Sequence, residues 1–135
     1  MKTKNGAEGD AGVVIEGQEP LEIDRFFLDF RPSEVEADIY LKGPARLTRK
    51  LTVLLALNSG HLPFGKVTAK YVVSDGEAYE YLYEPFEGGV GTFIDKTSKK
   101  AIAVLNMKMR VTPPDPGAPH PEITVHSWFN LVNSQ

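Results

Sequence analysis

The stretch AKYVVSDGEAYEYLYE, residues 69–84, contains two runs of alternating side chains separated by a turn signal. In an extended strand every second side chain points the same way, so Tyr79, Tyr81 and Tyr83 should share one face. The sequence Ser-Asp-Gly at 74–76 is typical of a three-residue hairpin loop with glycine in the left-handed position. The stretch therefore predicts two neighbouring antiparallel strands.

The length of that loop decides which side chains face each other. A three-residue loop sets Tyr71 opposite Tyr79 and Lys70 opposite Glu80, which separates an aromatic face from a charged face. A two-residue turn would set Lys70 against Tyr81 and mix the faces, because a slip of one residue turns a strand over. We therefore expect the three-residue loop, with an interior face that holds Tyr71, Tyr79, Tyr81 and Tyr83.

Short apolar or alternating runs, separated by Gly, Pro, Asn and Asp clusters, continue through most of the chain. Candidate strands lie near 12–16, 20–30, 34–42, 47–57, 65–73, 77–84, 90–95, 100–112 and 122–132. Convincing amphipathic helices are absent, and the short connections favour an antiparallel meander. The fold class is all-β: a small β-barrel or barrel-like β-sandwich of about 8–9 strands.

A second hairpin can be aligned by setting Leu41 opposite Leu47 across KGPAR, residues 42–46. This register pairs apolar side chains with each other but leaves Arg49 on the apolar side, against Ile39. Arg49 then lies either at the rim of the barrel or in a pocket, unless the strand pair bends at its end.

Composition excludes several classes of function. The chain has 135 residues, a net charge of -3 and no basic stripe, so we expect no nucleic-acid partner. It has no cysteine, which excludes disulfides and thiolate chemistry and suits the cytoplasm. No segment approaches the roughly 20 apolar residues that span a bilayer, so no membrane partner is expected. Residues 1–10 should be a flexible arm, and 11–135 a single domain.

The inward tyrosines are the best candidate for a binding site. Each buried phenol needs a hydrogen-bond partner, and four hydroxyls on two adjacent strands are many for a dry core. Either some of them reach the rim of a filled core, or they line a pocket for an apolar or aromatic small molecule. In the second case the ligand-binding residues are Tyr71, Tyr79, Tyr81, Tyr83, Met107, Met109 and Phe129.

The other polar patterns favour ordinary structure. Glu34, Glu36 and Asp38 alternate along one strand face, which is typical of a solvated surface rather than a cation site. The glycines of EGGVGTF, residues 87–93, predict a bend or bulge, since no helix follows them as in a phosphate loop. The histidines have no metal-ligand spacing and no nucleophile motif occurs. We therefore predict no metal site and no cofactor.

Two aromatic side chains are candidates for a subunit interface. Trp128 alternates with His126 and Asn130 on the outward face of its strand. Either it is exposed and marks an interface, as exposed tryptophan often does, or the N-terminal segment 12–30 covers this face. The apolar parity of residues 21–30 switches near Arg25, which indicates a bulge or a strand that changes sheets and turns Phe27 outward. We expect a homo-oligomer, most simply a dimer.

Three classes of function remain open. The first is a non-enzymatic binding or assembly module, favoured because no catalytic motif is present. The second is a barrel that encloses a hydrophobic small molecule, either as a binding protein or as an isomerase or cyclase that shapes its substrate. The third is a hydrolase whose site is assembled only in the folded chain. The sequence alone does not decide whether the protein is an enzyme.

Overall fold

A computed structural model describes residues 7–43, 47–57, 60–63, 68–74, 80–115, 117–118 and 120–133, with only the backbone of 60–63. Within these ranges every regular element is a β-strand. The strands are β1 Ala7–Ile15, β2 Ile23–Phe30, β3 Glu34–Leu41, β4 Thr48–Ala56, β5 Gly60–Pro63, β6 Thr68–Ser74, β7 Glu80–Asp95, β8 Lys100–Val111 and β9 Glu122–Asn133.

The strands form one antiparallel sheet in the order β1-β9-β8-β7-β6-β4-β3-β2, and β5 pairs with the second half of β7. The two outermost strands, β1 and β2, also meet: the amide of Leu21, just before β2, donates to the Val13 carbonyl of β1 at 3.3 Å. Nearby, the Asn133 side-chain amide donates to the Leu28 carbonyl at 2.6 Å. The sheet is therefore a nearly closed barrel of eight strands, which confirms the predicted fold class.

Alternation decides which side chains fill this barrel. On β8 and β9 every inward position is buried: Ala101, Ala103, Leu105, Met107, Met109, Val111, Ile123, Val125, Ser127, Phe129 and Leu131. Ser127 is the polar member of this series, and its hydroxyl donates to the Gly12 carbonyl at 2.9 Å. The predicted parity is confirmed along both strands, and the inner face follows from the period of two.

The predicted register of the tyrosine hairpin is wrong. Tyr71 lies opposite Tyr83 rather than Tyr79, and Glu80 lies opposite Ser74 rather than Lys70. The faces are nevertheless as predicted, because a shift of an even number of residues keeps every side chain on its side. Pairing on both flanks holds the observed register, since Tyr83 also lies opposite Val111 of β8.

The predicted register of the second hairpin is also wrong by an even number of residues. Ile39 lies opposite Leu51, and Arg49 lies opposite Leu41 instead of Ile39. Leu51, Val53 and Leu55 are fully buried, so the inward face is again the predicted one. Arg49 remains on that inward face.

In two strands a bulge changes whether the odd-numbered or the even-numbered residues face inward. The register of β2 shifts between Ile23 and Arg25, which confirms the switch predicted there. The register of β7 shifts between Pro85 and Glu87, just before the glycines that predicted a bend. Beyond this bulge the inward residues have even numbers, as in Val90. The bulge joins the two predicted strands 77–84 and 90–95 into one.

The N-terminal boundary differs from the expected one. The predicted arm ended at residue 10, whereas β1 begins at Ala7 and pairs with β9 from Asn133 onward. Polar and glycine residues fit this strand because much of it is exposed. No helix in the described ranges is long and apolar enough to cross a bilayer. The cytoplasmic location stays a prediction.

Gly88 should be required at the β7 bulge. Its φ is +124°, and a Cβ there would lie 2.1 Å from the Asn106 carbonyl oxygen. We expect Gly88→Ala to lower the free energy of unfolding by about 2 kcal/mol or more in urea denaturation, because of this strain. Gly91→Ala is the matched control: a Cβ there meets nothing within 4 Å. It should change stability by less than about 0.5 kcal/mol. Equal effects of the two substitutions would contradict this assignment.

Candidate functional site

One end of the barrel is hollow. Strands β1, β4, β6, β7 and β9 all have a terminus there, and their last inward side chains surround a cavity of about 340 Å³. The walls combine apolar, aromatic and polar groups: Ile15, Gln18, Leu47, Arg49, Tyr71, Val73, Tyr81, Tyr83, Gly117, His120 and Ile123. Because the strands end at this level, no further layer of core side chains fills the space.

Three tyrosines form the aromatic wall of the cavity. The Tyr71 and Tyr83 rings are buried and lie 5.8 Å apart at an angle of 44°. The Tyr83 hydroxyl donates to the His120 carbonyl at 2.7 Å, and the Tyr81 hydroxyl donates to the Gly117 carbonyl at 3.2 Å. The phenols thus find hydrogen-bond partners while their rings stay at the cavity surface.

The segment between β8 and β9 folds back over this end of the barrel. Its first residue, Thr112, donates its amide to the Leu82 carbonyl at 2.8 Å, and the Val111 amide donates to the Pro121 carbonyl at 3.0 Å. The Gly117 amide donates to the Asp115 carboxylate at 2.8 Å, and Ala118 is buried against the core. The segment therefore supplies one wall of the cavity and accepts the tyrosine hydrogen bonds.

Arg49 is the charged side chain in the cavity wall. It lies on the inward face of β4, between Leu41 of β3 and Val73 of β6. Its Nε is buried and has no hydrogen-bond partner. The sequence allowed Arg49 two positions, the rim or a pocket, and the structure places it in the pocket wall.

The environment raises the pKa of two of the phenols. Burial raises the pKa of Tyr71 to about 12, and the positive charge of Arg49 opposes this shift. Burial also raises the pKa of Tyr83, and the neighbouring Tyr81 adds to the shift. Both hydroxyls therefore stay protonated at neutral pH and can donate hydrogen bonds.

The predicted ligand-binding residues divide into two groups. Tyr71, Tyr81 and Tyr83 line the cavity, whereas Met107, Met109 and Phe129 are at most 3% exposed and belong to the packed core. Tyr79 lies outside the described residues. The barrel is thus filled along most of its length and hollow at one end. The sequence analysis did not predict Gln18 and His120 as cavity residues, because they lie outside the strands and gave no periodic signal, and it used Leu47 only to align a hairpin.

The two predicted interface residues have different surroundings. Trp128 is 49% exposed, and Val104 beside it on β8 is 54% exposed. Phe93 on β7 is 53% exposed and lies opposite Ile102, two residues from Val104 along β8. These three exposed side chains, Trp128, Val104 and Phe93, are the apolar strip on the outside of the barrel. Phe27 is half-buried, because its ring packs edge-on against Tyr40 with centroids 5.8 Å apart.

The acidic side chains of β3 are paired with basic and hydroxyl side chains of the same chain. Arg31 contacts Glu34 at 2.9 Å and Glu36 at 2.8 Å, and Thr52 donates to Asp38 at 2.8 Å. A hydrogen bond with Asp38, together with burial, raises the pKa of Glu36. Across the described side chains, no three His, Asp or Glu groups lie together as a metal site requires.

Comparison with known proteins finds no matching family model, no matching curated protein and no matching solved structure. The cavity therefore has to be interpreted from its own residues.

Stability should fall as the pH rises from about 10 to about 12. The Tyr71 hydroxyl has its ordinary pKa of 10.0 in the unfolded chain and a pKa of about 12 in the folded protein. Between these values the unfolded chain loses this proton more readily, so rising pH favours unfolding. Urea denaturation of wild type and Tyr71→Phe across this range measures the contribution. The stability advantage of the wild type should shrink by up to about 3 kcal/mol. A difference that does not change with pH would contradict burial of this phenol.

Proposed function

We propose that this protein is a binding module that holds a small organic molecule in the tyrosine-lined cavity at the end of its barrel. One observation carries this function: a space of about 340 Å³ remains open beside a core that is otherwise closely packed. Ligand pockets typically measure about 300–1,000 Å³ and combine apolar walls with a few polar groups. The volume favours a ligand at the small end of that range.

The walls favour a ligand with a flat or aromatic body. The Tyr71, Tyr81 and Tyr83 rings offer faces and edges on which another ring can stack. Val73 and Ile123 close the opposite sides with apolar surface. The hydroxyls of Tyr81 and Tyr83 already donate to backbone carbonyls, so these two rings contribute mainly apolar contact.

The binding function requires no catalytic group. An isomerase or cyclase that shapes its substrate would use the same cavity, and such an activity would come in addition to binding. The tyrosines, with pKa values raised by burial, are suited to donate hydrogen bonds rather than to act as bases.

Blocking the cavity tests this function. Two probes become fluorescent in apolar surroundings: N-phenylnaphthylamine, which is neutral, and anilinonaphthalene sulfonate, its anionic counterpart. We expect at least one of them to bind the wild type. Val73→Trp, which fills the cavity, should weaken that binding about tenfold or more, the equivalent of about 1.4 kcal/mol.

Val72→Trp is the matched control, because Val72 is the neighbouring residue on β6 and its side chain does not line the cavity. This variant should bind the probes as the wild type does. The function is refuted if neither probe binds the wild type, or if the two tryptophan variants weaken binding equally.

A second function, assembly, is favoured by the apolar strip. Trp128, Val104 and Phe93 lie on the outer face of three adjacent strands, with Trp128 opposite Val104 and Phe93 diagonal to Val104. A two-fold contact would bury the strip of one copy against the strip of a second copy. Asp95 and Lys100, opposite charges at one end of the strip, can then pair with their counterparts across the two-fold axis.

Sedimentation measures this assembly. The wild type should be a dimer at high micromolar concentration, and Trp128→Ser should shift it toward monomer, since the contact loses its largest apolar side chain. Phe27→Leu is the control: Phe27 packs on Tyr40 of its own chain, so the dimer should persist. A monomeric wild type would exclude assembly through this strip.

A further inference from the structure

Arg49 occupies a position that strand alternation reserves for apolar residues. The inward positions that follow it on β4 are Leu51, Val53 and Leu55, all fully buried. Its cross-strand neighbours are Leu41 and Val73, which offer no acceptor side chain. A guanidinium in such surroundings loses water contacts and needs acceptors to replace them.

The described residues supply no carboxylate for this guanidinium. Arg31 has three carboxylates within 3.1 Å, and Arg25 has Asp24 at 3.4 Å. No Asp or Glu of the described residues forms an ion pair with Arg49, and its buried Nε has no acceptor. Acidic residues are more numerous than basic ones in the chain, so a general shortage of carboxylates does not explain why no described carboxylate pairs with Arg49.

The rest of the described cavity wall also lacks negative charge. None of the described residues that line the cavity is acidic, although the chain carries a net charge of -3. Tyr71 adds a hydroxyl and Gln18 a side-chain amide, and both groups can donate hydrogen bonds. The cavity therefore combines a positive charge and donors with aromatic walls.

We propose that the cavity takes a small aromatic acid, whose anionic group binds Arg49 while its ring packs against the tyrosines. This inference rests on the proposed binding function and specifies the charge of the ligand. A carboxylate or sulfonate offers several acceptor lone pairs, which the planar fork of a guanidinium can satisfy with two parallel hydrogen bonds. The anion would thereby add a charged acceptor to the Tyr71 hydroxyl, which already forms a hydrogen bond with Arg49.

The two naphthalene probes differ in the sulfonate group, and this difference measures the preference for an anion. The wild type should bind anilinonaphthalene sulfonate about tenfold or more tightly than N-phenylnaphthylamine, as charge-assisted hydrogen bonds predict. Arg49→Met should remove this preference by weakening the anionic probe and leaving the neutral one unchanged. Arg49→Lys, which keeps the charge, should restore part of it.

Arg25→Met is the control for nonspecific attraction, because Arg25 lies exposed on the outer surface. It should keep the full preference for the anionic probe. A purely structural role of Arg49 would instead weaken both probes equally in Arg49→Met, and that result would overturn the inference. Equal affinity of the wild type for the two probes would also overturn it, while the binding function would stand if Val73→Trp still blocks both.

A measurement on the wild type alone covers the case in which Arg49→Met does not fold. Benzoate and benzamide have nearly the same shape, and only benzoate is an anion. Benzoate should displace a bound naphthalene probe at a concentration about tenfold or more below that needed for benzamide. Equal displacement by the two compounds would refute the anion site. If no probe binds the wild type in a manner sensitive to Val73→Trp, the binding function itself fails, and the inference fails with it.

Discussion

Burial of one face of every strand is the constraint on which the barrel depends. Leu51, Val53 and Leu55 on β4 are fully buried and belong to the same core cluster as Leu105 on β8. Each completely buried aliphatic side chain stabilises the fold by roughly 1.5–3 kcal/mol. The cavity exists because this packing stops where the strands end, so the same alternation that fills the core also leaves its last tyrosines uncovered.

The sequence predicts the faces of the strands far better than their register. In both hairpins the predicted pairing is displaced by an even number of residues, yet the described side chains of the paired strands keep their predicted sides. Burial cannot distinguish registers that differ by two or four residues, because each of them buries the same face. The observed register also depends on partners that are distant in sequence, such as Val111 opposite Tyr83.

For the binding site, the alternation of side chains predicts which residues point inward but not how far along the barrel axis they lie. Tyr81 and Met107 both point inward, but Tyr81 lies at the open end and Met107 is closely packed along the barrel axis. The return of the segment around Gly117 and His120 was not predictable, since its proline-rich sequence has no period. Arg49 was the one informative exception: a charge at an apolar position indicated the rim or a pocket, and the pocket wall is where it lies.

The seam between β1 and β2 gives the barrel a property that a fully laddered sheet lacks. In the described strands, one backbone bridge between Val13 and Leu21 joins these edges, whereas β8 pairs with β9 along eleven residues. Separating these two edges would therefore break one backbone bridge rather than a long ladder of hydrogen bonds. The bridge lies at the end where residues 16–22 also connect the two strands, so the seam is held most firmly beside Ile15 and the cavity. At the other end it is held by the Asn133 side chain on Leu28.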